Sequence, residues 1–117
     1  MATLECIASY GVDYDDAMDR FGGNVDLYKK LALRYLEDAH FDGCLAAMTV
    51  GDYETAYREV HSLKGVAGNL SFSQLYDVAS MICKDLREGE PVAASRLLPD
   101  LELAHHRIRE GLAQVDA

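Results

Sequence analysis

The sequence predicts an all-α protein, an antiparallel up-down-up-down four-helix bundle with a short extra helix at its N-terminal end. Apolar residues recur at helical spacings of three and four through most of the chain. β-branched residues never gather into alternating runs, and only two prolines interrupt the pattern, Pro91 and Pro99. With 117 residues, half of them apolar, one core in one domain is expected over residues 1–117, its body at about 13–114.

Each element has its own signals. Asp13 is suited to cap a short first helix ending near Phe21, where Gly22-Gly23 permits the left-handed exit. Asn24 caps the next, and Leu27, Leu31, Tyr35, Ala39, Leu45 and Met48 form a long apolar stripe that ends at Gly51, its continuity through His40 to Gly43 left open. After the Gly51-Asp52 stop and cap, Tyr53, Ala56, Val60, Leu63, Ala67 and Leu70 step by 3, 4, 3, 4 and 3, the seam of a helix packed at a shallow bundle angle. Ser71 and Gln74 have the spacing of a capping box, with Leu70 and Leu75 as its staple. The helix it opens runs through Val78, Ala79, Ile82 and Leu86 to Gly89. A last helix begins at Glu90-Pro91 and shows Ala94, Leu97, Leu101, Ala104, Ile108 and Leu112 on one face, with a kink or restart expected at Pro99. Short connections make neighbours antiparallel and leave the first helix as a lid.

Composition excludes several functions. A net charge of -9 argues against nucleic acid and against an anionic membrane, since both need dense Lys and Arg. Cys6, Cys44 and Cys83 are odd in number and lack Cys-x-x-Cys spacing, which predicts neither a disulfide framework nor a zinc site and fits a reducing cytoplasm. No stretch has the length and apolarity of a membrane span, and Met1 to Tyr10 lacks the features of a secretory signal, so a soluble protein is expected.

The chemistry concentrates in His61-Ser62-Leu63-Lys64-Gly65-Val66-Ala67-Gly68-Asn69-Leu70. His61 follows the seam residue Val60, so it is turned about 100° from the buried stripe and stands at its edge, within reach of solvent. Lys64, Gly65 and Gly68 follow at i+3, i+4 and i+7 and share its face. Glycine inside a helix costs about 1 kcal/mol relative to alanine, so two on one side of a reachable imidazole imply a close approach by something else. A neutral imidazole nitrogen is a nucleophile that can carry a phosphoryl group. Lys64, one turn away, is placed to offset the dianion.

The string His-x-Leu-Lys-Gly-x-Ala-x-Asn-Leu resembles the signature of histidine-containing phosphotransfer (HPt) domains of two-component phosphorelays. Arg20-Phe21-Gly22-Gly23-Asn24 and Gly51-Asp52 extend the likeness over roughly residues 13–112. The resemblance implies that His61 accepts phosphate from a receiver-domain aspartate or a kinase and passes it to another receiver. It gives Lys64 the role of phosphate stabiliser and Gly65 and Gly68 that of clearance for the receiver's loops. Mg2+ is expected on the receiver, with no cofactor or metal on this chain. The family usually places glycine where this chain has Ser71, a departure expected to alter only the turn. It also places a polar residue on the next helix to orient the imidazole, where this chain has Cys83, with Lys84 as the alternative.

Counting ten residues from Gly51 to His61 sets the histidine level with about Phe41, and counting across Ser71 sets it level with about Met81. Phe41 is weighed as docking surface against core, Arg58 as docking surface against solvated charge, and Cys83 as a small buried hydrophobe. Asn69 reads as a helix-end residue, and His105-His106 makes a poor metal site because neighbours on a helix point about 100° apart. The expected function is that of a monomeric phosphorelay intermediate without its own kinase or nucleotide-binding domain, partnered by receivers or a hybrid kinase. The alternatives are a non-phosphorylated adaptor for receivers and the phosphoacceptor domain of a larger hybrid or chemotaxis-type kinase.

Overall fold

A computed structural model describes residues 3–115, and every element among them is helical apart from an isolated bridge residue at Val115. Seven α-helices run in chain order: α1 Tyr14–Arg20, α2 Val25–Leu33, α3 His40–Thr49, α4 Tyr53–Asn69, α5 Ser73–Arg87, α6 Pro91–Arg96 and α7 Leu98–Ala113. The bundle is α3, α4, α5 and α7, each packed on the next and α7 returning to α3. It encloses Cys44, Val60, Leu63, Leu75, Ile82, Leu101 and Ile108, each at most 1% exposed. The bundle is therefore an α-on-α core with the histidine helix α4 between two neighbours.

The caps follow the sequence. Asp13, Asn24 and Asp52 each accept a backbone N–H three residues on, and Gly22, Gly23, Gly51 and Gly89 take positive φ. Pro99 sits in the first turn of α7, where a missing N–H costs nothing, so the chain restarts at Leu98 rather than kinking.

Three expectations need correction. The stripe over 25–48 is two helices: a 3-10 turn at Arg34–Glu37 follows α2, and Asp38 is extended at φ -73°, ψ 132°. The cause is local, because the Asp38 carboxylate accepts the His40 N–H at 2.9 Å and offers the backbone a competing bond. Freed from α3, α2 buries Tyr28 and Ala32 and leaves Leu27 exposed. The Ser71–Gln74 capping box does not form, since Ser71 closes α4 in the left-handed region at φ 57° while Phe72 donates to Ala67 O and Ser71 to Gly68 O. The α5 helix then starts at Ser73 with no side-chain cap, and Gln74 instead accepts from Arg107 at 2.9 Å. Tyr53, placed on the seam, is 43% exposed and lies outside the core.

A 3-10 helix over Leu4–Tyr10, which periodicity does not announce, packs on α7 and adds Leu4 and Ile7 to the core. Gly111 makes room for it, since a Cβ there would stand 2.7 Å from the Tyr10 ring.

Candidate functional site

The outward face of α4 is set by what its other face buries. Ala56, Val60, Leu63 and Ala67 are fully buried, which leaves His61 exposed, as the seam requires. Lys64 is half-buried, and its Nζ lies 5.8 Å from the centroid of the Tyr76 ring on α5. Beside the histidine a groove of about 500 Å³ is lined by His61, Lys64, Gly65, Gly68, Arg20 and Tyr76, among others. Thus His61, Lys64 and both glycines do share one surface.

The two glycines differ in what uses their bare backbone. A Cβ at Gly65 would meet nothing within 4 Å, so that stretch of main chain is open to solvent beside the imidazole. A Cβ at Gly68 would come within 3.1 Å of Tyr76, so the clearance there serves the chain's own aromatic ring. Asn69 is exposed at the end of α4.

The far wall of the groove comes from α1. The Asp16 carboxylate accepts from Arg20 Nε at 2.8 Å and from the Ser71 hydroxyl at 2.7 Å, joining α1 to the α4–α5 turn. These bonds, that from Arg20 first, hold the Asp16 carboxyl below the ordinary carboxylate range and the Arg20 guanidinium above its own. The Tyr28 hydroxyl of α2 donates to Leu70 O at 2.6 Å beneath the same turn.

Other expected site residues lie elsewhere. Phe41 is 4% exposed and stacks on His105 with centroids 4.3 Å apart, so it is a core ring and offers no docking surface. Cys83 is 3% exposed, and burial pushes its thiol pKa up, as for a small hydrophobe. Lys84 is exposed on α5. Arg58 is exposed and paired with Glu54 at 3.3 Å. His105 is buried and bonded to the Tyr35 hydroxyl at 2.6 Å, while His106 is exposed; among the described residues no three His, Cys, Asp or Glu side chains gather for a metal ion.

Two aromatic residues of the site were missed. Tyr57 stacks on His61 with centroids 5.7 Å apart and planes within 13°, a contact that the i, i+4 spacing could have flagged. Tyr76, under Lys64 and against Gly68, depends on the α4–α5 register and gives no local signal.

On one surface the helical bundle displays the accessible imidazole of His61, a neighbouring ammonium and an open strip of helix backbone. The Hpt domain family model matches residues 32–117, and the chain belongs to that family. The family implies phosphotransfer in two-component systems, by a phosphocarrier module rather than a catalytic domain. Neither a curated protein nor a solved structure matches the chain. Among the described residues no helix is long and apolar enough to cross a membrane.

Proposed function

We infer that the protein is a phosphorelay intermediate: His61 takes a phosphoryl group from a receiver-domain aspartate, or from a kinase, and passes it to a second receiver. The observation that carries this reading is the exposed His61 ring beside the open backbone of Gly65. In the forward step the lone pair of a neutral imidazole nitrogen attacks phosphorus, the bond from phosphorus to the aspartyl oxygen breaks, and the carboxylate leaves. The imidazole proton stays on the other ring nitrogen.

Lys64 rests on Tyr76 in the free protein and swings to the phosphoryl oxygens when they arrive, a small displacement for a flexible side chain. Gly65 lets the receiver's loops approach α4, while Gly68 gives room to Tyr76 in the wall of the same groove. Mg2+ and the acidic residues that activate transfer belong to the receiver, so this chain contributes a positioned nucleophile and one cation. The net charge of -9 directs the partnership to proteins rather than nucleic acid, and the free thiols of Cys6, Cys44 and Cys83 fit a cytoplasmic setting. The working unit is a monomer.

The test is transfer of labelled phosphate from a phosphorylated receiver domain. The wild type gains label and His61→Gln gains none; a His61→Gln protein labelled as fully as the wild type removes the role assigned to this residue.

A further inference from the structure

We propose that Tyr57 is the positioning residue for the His61 imidazole, holding the ring plane by stacking where no hydrogen bond holds it. The proposal rests on the phosphocarrier reading and adds to it the group that aims the nucleophile. Among the described residues neither ring nitrogen of His61 has a hydrogen-bond partner within the protein, and Cys83, at the position expected to orient it, is buried. Lys64 is engaged with Tyr76 instead. An exposed imidazole in that state would turn freely about its outer side-chain torsion and sweep its nitrogen lone pairs through many directions.

Tyr57 removes that freedom. It lies one helical turn before His61, in the direction in which helix side chains lean, and its half-buried ring packs against the core. The two ring planes lie within 13° of parallel with centroids 5.7 Å apart, an offset contact that favours one orientation of the imidazole plane, in which the nitrogen lone pair and proton lie. In-line attack on phosphorus requires the nitrogen lone pair to point along the forming bond, so fixing the plane supplies orientation before the partner arrives. During the step the imidazole becomes a phosphoimidazolium that keeps its single N–H proton on the other nitrogen, and the adjacent electron-rich face of Tyr57 favours the growing positive charge.

An aromatic pair of this kind is worth enough to change a rate by several-fold to about tenfold. The experiment follows transfer from a phosphorylated receiver to the wild type, Tyr57→Leu and Tyr57→Phe, with helicity checked by circular dichroism. Tyr57→Leu is expected to lower the rate at saturating receiver several-fold while half-saturation is unchanged, and Tyr57→Phe to restore the rate to within about twofold. NMR of the wild type should show Overhauser contacts between the Tyr57 and His61 ring protons from a single orientation of the imidazole, a signature that a residue acting only on stability would not produce. A folded Tyr57→Leu protein that transfers as fast as the wild type overturns the proposal and leaves the carrier reading intact. Should Tyr57→Leu fail to fold, the lack of any Overhauser contact between the Tyr57 and His61 rings of the wild type overturns it equally. A wild type that never takes label removes the carrier reading, and the role of Tyr57 with it.

Discussion

The ammonium of Lys64 sits over the ring of Tyr76, 5.8 Å from its centroid, in the wall of the groove that His61 also lines. A contact of this kind at a partly exposed site is worth about 0.5–1 kcal/mol, little enough to be given up when a phosphoryl dianion offers a stronger partner. Lys64→Ala is therefore expected to slow transfer about tenfold and to leave the melting temperature almost unchanged. Stopped-flow or quench kinetics beside a thermal melt provide the check, and unaltered transfer would show that Lys64 does not meet the phosphoryl group.

Gly65 and Gly68 should respond differently to the same kind of change. At Gly65, alanine is expected to raise stability by about 0.5–1 kcal/mol, because a helix propensity is gained and no atom is displaced. Gly65→Gln keeps that gain but should sharply reduce transfer by filling the approach to His61. Gly68→Leu must push Tyr76 aside and should destabilise by about 1–3 kcal/mol. Chemical denaturation of the three variants separates these outcomes, and a destabilised Gly65→Ala would contradict the open surface described here.

Ser71 occupies a left-handed position at φ 57° while its hydroxyl donates to Asp16. Ser71→Ala keeps the unfavourable backbone and loses the bond, so a loss of about 1 kcal/mol is expected. Ser71→Gly loses the bond but relieves the backbone, which should leave stability near that of the wild type. Melting curves that placed glycine as low as alanine would show that the turn carries no conformational cost.

His105 should make stability depend on pH. Burial, then the neighbouring His106 and Arg109, push its pKa down to about 4 from the ordinary 6.5. Between those values the unfolded chain binds a proton that the folded chain does not, so stability is full above pH 6.5 and falls as pH drops, the loss ending near pH 4. The contribution is on the order of 2–3 kcal/mol. Urea titrations across this window should show a shallower slope for His105→Gln than for the wild type. Equal slopes would mean that the buried ring takes up its proton without cost.

Much of this was legible in the sequence, and the gaps have definite causes. The seam of α4 placed four buried residues and the exposed His61 correctly because a 3.5-residue repeat leaves little freedom in which face is covered. Caps at Asp13, Asn24 and Asp52 were readable because their bonds are local. The break at Asp38 was not, since one carboxylate-to-backbone bond decided it within an apolar stripe whose continuity was open only further on, from His40 to Gly43. Ser71 misled through an ambiguity of type: the same residue suits a helix start and, less often, a left-handed end, and here the closing of α4 prevailed. Phe41 could be placed level with the site by counting, but counting gives height along a bundle and not the direction a ring takes around it.

The central claim concerns a covalent adduct on one nitrogenous side chain. Intact-mass spectrometry at neutral pH, after mixing the protein with a phosphorylated receiver, tests it most directly. The account predicts one added phosphoryl group on the wild type, lost on acid treatment and never formed on His61→Gln; an adduct that survives acid, or that forms equally on His61→Gln, would contradict it.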